Sequence, residues 1–267
     1  MITDDALKTY ESGLYAYPEA EAELLERIGW EGLSKKPCEL YYAEEFETLN
    51  KKGRIDAEHY QPKHGRLFNR LKKISSMPLR DLLISCDKGT QPDEYTDEGE
   101  IIVVKSKNVF GQGIELTTCE RTSLTAWADE PARLRENDVV INSTGMGTLG
   151  RAGVVHCDCQ KIVASVDLLI LRVKPEIVAP DYLSLFLNSP AGIAQSEQYQ
   201  TGSSGQLHLY PEHVRQFMIF VPKTNNGQVD LAWQRMLADK VRTAARSKVQ
   251  ARAKLDEAIK LVEEAIQ

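Results

Sequence analysis

The segment 229–267 constrains the fold of this chain most strongly, because it contains neither glycine nor proline. Apolar residues recur in it with the three- and four-residue spacing that places them on one face of an α-helix. At a rise of 1.5 Å per residue, a helix over this stretch is roughly 50 Å long. Because the end of one globular domain needs no helix of that length, we predict that the helix pairs with a partner or sets a distance.

Two apolar repeats run along this predicted helix. The first is a seven-residue repeat formed by Leu237, Ala244, Ala251, Ala258 and Ala265, and the second is the four-three-four spacing of Leu255, Ile259, Val262 and Ile266. Small side chains at this spacing favour close packing along another helix. A solvated helix is the alternative, and the continuous apolar seam argues against it. The residues that we expect to contact a partner or second copy are Leu237, Val241, Leu255, Ile259, Val262 and Ile266.

The central segment 63–224 alternates between strand and helix signals, which favours a mixed α/β (α+β) domain. Its β-branched runs are bounded by Gly, Asn, Asp and Pro. The predicted strands are 100–104, 138–142, 152–155, 166–173 and 216–221, and 180–187 is predicted to be a short helix. This gives three zones, namely an acidic and partly helical 1–62, the domain 63–224, and the long helix 225–267.

Charge is distributed unevenly along the chain. The formal net charge is −6, and residues 1–50 contain twelve acidic and four basic side chains, a net of −8. The remaining residues therefore carry a net of +2, the difference between −6 and −8. Residues 66–80 contain five basic residues and no acid. Such a basic stripe is ordinarily explained as a solvated helix face. Its alternative is phosphate binding, with Arg66, Arg70, Lys72 and Lys73 as candidates.

Several function classes are disfavoured by the sequence. No apolar run approaches the ~20 residues of a membrane span, and the acidic start of the chain lacks a signal peptide. We therefore expect a cytoplasmic protein without a membrane partner. Five scattered cysteines argue against a disulfide framework. His156, Cys157 and Cys159 provide too few ligands for zinc, so we expect no metal site.

One motif suggests a nucleotide-dependent enzyme. The segment 145–150 has the pattern G-x-G-x-x-G, and Asp167 follows downstream. In dinucleotide-binding folds the last glycine opens a helix whose N-terminus faces the pyrophosphate. Here a β-branched strand pattern follows at 152–155. We therefore predict a glycine-rich hairpin, and we expect neither a cofactor nor a catalytic residue on this chain.

Several loose motifs occur in a characteristic order. They are the turn Lys88-Gly89-Thr90-Gln91-Pro92 with Tyr95, the strand after Gly99, Asn137-Asp138 before the next strand, the hairpin 145–153, the helix 180–187, the loop 202–207 and a strand that ends at Pro222. Together with the long helix, this order resembles the specificity (S) subunits of type I restriction-modification systems. The resemblance covers about residues 50–267, with Asn137 standing where the family has glycine.

The resemblance implies a target recognition domain followed by a spacer helix. S subunits carry two such domains and two helices, whereas this chain has one copy of each and no internal repeat. It therefore resembles a half-subunit that pairs into a homodimer. The implied partners are double-stranded DNA, a DNA adenine methyltransferase that binds S-adenosylmethionine, and a restriction or translocase subunit. In this interpretation the chain recognises DNA and catalyses no reaction.

Polar residues in the predicted loops are candidates for contacts to base edges, because their side chains donate or accept hydrogen bonds. These residues are Lys105, Lys107, Asn108, Arg151, Ser204 and Gln206. Two other interpretations stay open. One is a coiled-coil adaptor, or an S-subunit mimic that binds methyltransferase without DNA. The other is an enzyme that uses the 145–150 segment for a nucleotide.

Overall fold

The computed structural model describes residues 2–35, 47, 54–123, 130–157, 161–202 and 206–266. Its helices are α1 (Ile2–Leu14), α2 (Ala16–Ile28), α3 (Glu31–Ser34), α4 (Pro62–Lys73), α5 (Leu79–Leu82), α6 (Pro180–Asn188), α7 (Pro190–Tyr199), α8 (Pro211–Val214) and α9 (Leu231–Ile266). Short 3-10 helices occupy Ala57–Tyr60, Ser106–Asn108 and Glu130–Ala132.

The strands are β1 (Ser76–Pro78), β2 (Leu83–Lys88), β3 (Ile101–Val104), β4 (Val109–Phe110), β5 (Gly113–Ile114), β6 (Glu120–Thr122), β7 (Val139–Asn142), β8 (Ala152–Val154), β9 (Ile162–Ala164), β10 (Leu168–Val173) and β11 (Met218–Phe220). The main sheet is antiparallel with the order β2-β10-β7-β8. A second sheet has the order β6-β3-β9, in which β3 and β9 are parallel.

The main sheet is buried on both faces. Val139 and Ile141 pack into a core shared with the helices, whereas Val140 and Ile170 pack into a second core shared with the smaller sheet. Strands buried on both faces have continuous apolar sequences rather than alternating ones. This explains why the segments 138–142 and 166–173 are recognisable as strands although neither alternates in polarity.

The N-terminal helix α2 belongs to the same core as the central domain. Ala20, Leu24 and Ile28 are fully buried in the helical layer. Helix α2 ends at Gly29, whose φ of 76° is left-handed and whose N–H bonds the carbonyls of the last turn. The acidic N-terminal zone therefore buries the apolar face of α2 in the core of the domain. This burial fixes the position of α2.

Helix α9 begins with a capped first turn and runs antiparallel to α2. The Asp230 carboxylate accepts the N–H of Trp233 at 3.0 Å, as expected at a helix N-cap. The Trp233 indole N–H donates to Glu23 at 2.9 Å, and the Arg27 guanidinium lies 4.3 Å from the indole centroid. Further along α9, Lys240 lies 3.5 Å from Glu23. Glu23 of α2 thus binds both Trp233 and Lys240 of α9.

Helix α1 continues this antiparallel arrangement along the alanine face of α9. A Cβ at Gly13 would lie 2.4 Å from the Ser247 Cβ and 3.3 Å from the Ala244 Cα, so glycine permits close approach of the two backbones. The seven-residue alanine repeat indicated close packing along another helix. At Ala244 that helix is α1 of the same chain.

The predicted fold class is confirmed, with a mixed α/β domain and a long C-terminal helix. The seam of α9 has two parts, because Leu237 and Val241 are buried in the domain whereas Leu255, Ile259, Val262 and Ile266 are exposed.

Asn137, the residue that departs from the family pattern, has a φ of 69°. Asparagine is among the few residues that tolerate this left-handed conformation, which explains its place at a glycine position. Over the described ranges, no helix combines the length and hydrophobicity needed to cross a bilayer.

Candidate nucleic-acid interface

The glycine-rich segment 145–150 lies in the connection between the antiparallel strands β7 and β8. Gly145, Gly147 and Gly150 have φ values of 96°, 80° and 79°, which favour glycine. Since the segment leads into a strand, the helix N-terminus required for a dinucleotide site is absent from residues 143–157. The predicted hairpin is confirmed.

The hairpin is hydrogen-bonded to the segment that precedes α8. The Gly145 N–H donates to the Leu207 carbonyl at 3.2 Å, and Leu209 donates to Ser143 at 2.9 Å. Gln206, one of the predicted base-contacting residues, is therefore next to the hairpin and is exposed. Ser204 lies outside the described residues. The structure thus brings two glycine-containing loops to one surface, although about 60 residues separate them.

Arg151 joins the hairpin to the turn 105–108. Its Nη2 donates to the Ser106 carbonyl at 2.8 Å, and its guanidinium lies 5.3 Å from the Phe110 ring centroid. Its Nε is buried and has no hydrogen-bond partner in the described part of the chain. Burial lowers the pKa of the guanidinium, which nevertheless stays charged at neutral pH. Arg151 therefore has both a positioning contact and an unused donor.

Lys105 and Lys107 share one acidic partner. Both ammonium groups bond to Glu120, at 2.9 Å for Lys107. The hydrogen bonds from both lysines lower the pKa of the Glu120 carboxyl, so Glu120 is ionised at neutral pH. Lys105 also lies 3.9 Å from the Tyr95 ring centroid. The two predicted contacts are thus held in place and partly neutralised by one carboxylate.

Asn108, another predicted base contact, is fully buried. Its Oδ1 accepts the Lys105 N–H at 3.0 Å, and its amide donates to Thr118 at 3.1 Å. These bonds satisfy both ends of the side-chain amide within the protein. In this conformation Asn108 shapes the turn that presents the two lysines.

The four basic residues of α4 have different environments. Lys72 and Lys73 are exposed, and Lys72 lies 4.4 Å from the Phe68 ring centroid. The Arg70 Nε donates to the Ile28 carbonyl at 2.6 Å, which satisfies the C-terminal end of α2. Arg66 is half-buried. The two lysines are accordingly the members of the stripe best placed for a phosphate.

A cavity of about 500 Å³ separates the hairpin from α4 and α7. Its wall contains Arg151, the ion pair between Lys63 and Glu197 at 2.7 Å, and the amides of Gln61 and Gln200. Donors and acceptors therefore surround an open space beside the two loops. Sequence reasoning missed the amides and the ion pair, because no motif links residues from α4 and α7. The one signal in the sequence was that Lys63 lies three residues before Arg66, where the basic stripe begins.

A buried carboxylate connects this domain to the long helix. Asp181, at the start of α6, bonds to His156 Nε2 at 2.6 Å and to Arg242 Nε at 2.7 Å. Arg242 also donates to the Asn137 Oδ1 at 3.1 Å. The sequence analysis missed this cluster because its members come from four separate segments. It fixes α9 against the strand ends and thereby fixes the direction in which the helix leaves the domain.

Comparison with known proteins gives information at the level of the fold. No protein-family model and no curated protein sequence matches this chain. The crystal structure of the type I restriction-modification S subunit from M. genitalium aligns with 99% of this chain and 55% of that chain, at 12% identity and a TM-score of 0.53. This chain has the fold of a type I S subunit. It spans about half the length of that subunit.

Two further S-subunit comparisons have lower scores. A structure that describes complex assembly and conformational transition of the type I system covers 71% of this chain and 45% of that chain, with 16% identity and a TM-score of 0.43. The HsdS subunit from Thermoanaerobacter tengcongensis covers 79% of this chain and 54% of that chain, with 16% identity and a TM-score of 0.37. The fold assignment to the S subunits therefore rests on the M. genitalium structure.

Proposed function

We propose that this chain is the DNA-recognition subunit of a type I restriction-modification system. The observation that carries the proposal is the S-subunit fold with two glycine-containing loops, Arg151 and Lys63 gathered beside one cavity. Loops on a rigid scaffold are common positions for recognition residues. In this proposal the loops contact base edges, and exposed lysines contact phosphates.

The proposed partners follow from the likeness to S subunits. An adenine methyltransferase docks on the chain and supplies S-adenosylmethionine, and a restriction or translocase subunit joins the same complex. Because the chain spans about half of the M. genitalium S subunit, we propose that two copies pair to provide two recognition domains. The chain itself contributes binding and position, and its partners contribute the chemistry.

The proposal assigns different roles to Arg151 and Lys73. An Arg151→Ala variant loses a base contact, so its affinity falls by about 1–3 kcal/mol for one base pair of the recognised site and little for other sequences. A Lys73→Ala variant loses a phosphate contact and weakens binding to all sequences, with a salt slope smaller by about 1. Fluorescence anisotropy with duplex DNA at several salt concentrations measures both effects. Equal losses on every sequence for Arg151→Ala would reassign that residue to a phosphate.

A Glu120→Gln variant is expected to bind duplex DNA more tightly than the wild type. The change removes the carboxylate that pairs with Lys105 and Lys107, so both ammonium groups become available to phosphates. The logarithmic salt slope should steepen by about 1–2. Glu100→Gln is the matched control, because Glu100 pairs with Lys161 elsewhere on the second sheet. An unchanged salt slope in Glu120→Gln would remove the two lysines from the interface.

A further inference from the structure

Asp167 lies in the short turn that joins β9 to β10, beside the glycine-rich hairpin. Its Oδ1 accepts a hydrogen bond from the Thr144 hydroxyl at 2.8 Å. Among the described residues this is the one bond of the carboxylate, so Oδ2 has no partner there and Asp167 forms no ion pair. Because the side chain is only half-buried, Oδ2 is an acceptor that a molecule at this surface can reach.

Backbone contacts fix the position of this carboxylate. The Ser143 N–H donates to the Asp167 carbonyl at 2.8 Å, which continues the pairing of β7 with β10. On the other side of the hairpin strand, Leu209 donates to the Ser143 carbonyl at 2.9 Å, and Thr144 forms a β-bridge with His208. Thr144 is therefore held by its own neighbours, and it holds Asp167 in turn. Oδ2 has a defined place at the base of the hairpin.

Two other acids of the candidate interface are neutralised within the protein. Glu120 pairs with two lysines, and Glu197 pairs with Lys63. A carboxylate without such a partner repels the phosphates of an approaching duplex. An ionised carboxylate only accepts hydrogen bonds, so Asp167 favours binding only where it meets a donor. On DNA, that donor is an amino group at the edge of a base.

The shape of the hairpin and the pattern of the base edges select one amino group. The major groove is about 12 Å wide and admits a two-stranded ribbon, whereas the minor groove is about 6 Å wide. In the major groove, cytosine presents its N4 amino donor and no acceptor. Adenine presents N7 beside its amino group, and guanine and thymine present acceptors without a donor. A fixed carboxylate oxygen is therefore attracted by cytosine and repelled by acceptors on the other three bases.

We infer that Asp167 selects cytosine at one position of the recognised site. Its Oδ2 accepts a hydrogen bond from the cytosine N4 amino group, while Thr144 holds Oδ1. This inference rests on the DNA recognition proposed above and adds a specificity-determining residue that the two lysines and Arg151 do not provide. The negative charge excludes the wrong bases as well as binding the right one, since an unpaired carboxylate next to an acceptor weakens binding.

Selection from a random duplex library, with the full-length wild type and Asp167→Ala at the same salt concentration, tests this role. The variant is expected to enrich the wild-type motif with one cytosine position relaxed to any base. It should bind duplexes outside the motif at least as tightly as the wild type, because it repels phosphates less. Glu176→Ala is the matched control, since Glu176 is exposed beyond the opposite end of β10. It should leave the motif unchanged.

A modified duplex tests the same contact on the unaltered protein. N4-methylcytosine still pairs with guanine, but a methyl group replaces the amino hydrogen in the major groove. In fluorescence anisotropy, the wild type should bind the motif about tenfold more weakly when this base occupies the selected position. Asp167→Ala should bind the modified and unmodified duplexes within about twofold of each other.

The other outcomes separate this inference from the proposed function. A wild type that enriches no motif would overturn DNA recognition and the role of Asp167 with it. If Asp167→Ala enriches the wild-type motif with every cytosine retained, or if N4-methylation of each cytosine in turn leaves wild-type affinity unchanged, the role of Asp167 is wrong and DNA recognition stands. Relaxation at an adenine would overturn the assignment to cytosine. An equal loss on every sequence would show that Asp167 only braces the hairpin.

Discussion

Replacing Asp181 with alanine is expected to lower the free energy of unfolding by about 3 kcal/mol. The carboxylate is buried and accepts hydrogen bonds from Arg242 and His156. Its removal leaves the Arg242 guanidinium with the Asn137 amide oxygen but without its carboxylate partner, and loss of one member of a buried ion pair is strongly destabilising. We expect a loss at the low end of the range that is usual for breaking a buried ion pair, because the Arg242 side chain is 37% exposed and gains some hydration.

Urea denaturation followed by circular dichroism measures this loss. The matched control is Asp239→Ala, since Asp239 is exposed on α9 and surface substitutions usually change stability by less than about 0.5 kcal/mol. Equal losses in the two variants would show that the cluster does not hold α9 on the domain. Hydrogen exchange should also show faster exchange in the turns of α9 around Arg242 in Asp181→Ala than in the control.

The wild-type chain is expected to lose stability as pH falls from about 6.5 towards 4, and a His64→Gln variant should lack this component. Burial lowers the pKa of His64 from 6.5 to about 4. The unfolded chain therefore binds a proton at a pH where the folded chain does not, so acid favours the unfolded state. A shift of this size corresponds to about 3 kcal/mol between neutral pH and pH 4.

The unfolding free energies of the wild type and His64→Gln are compared at intervals between pH 7 and pH 4. Carboxylates also titrate in this range, and they do so in both proteins, so the difference between the two curves isolates the histidine. That difference should change by about 3 kcal/mol across the range. Parallel curves would show that His64 takes up its proton at the same pH in the folded and the unfolded chain.

The fold was predictable where one local signal dominated. The segment 229–267 lacks glycine and proline, and it forms α9 with a start at Leu231. The strand 138–142 and the helix 180–187 were also located correctly to within one residue. These elements are defined by their own side chains, by β-branched runs or by a proline at the first helical turn.

The arrangement of the site was less predictable, because it depends on contacts between distant segments. Neither the Asp181 cluster nor the bond from Arg70 to the carbonyl of Ile28 has a signature in the sequence. Burial decides the place of Asn108, which residue type alone predicts to be a surface contact. Nothing in the sequence pattern assigns the acidic N-terminal zone a contact, whereas in the structure Glu19 and Glu23 of α2 pair with Lys240 of α9.

Selection of DNA sequences from a random duplex library tests the central claim most directly. The full chain is incubated with a type I methyltransferase subunit, and the bound duplexes are sequenced after several rounds. DNA recognition predicts enrichment of one defined motif, and pairing of two copies predicts that its two halves are related by two-fold symmetry. Retention of the methyltransferase with no enrichment of any sequence would contradict DNA recognition and leave the adaptor interpretation.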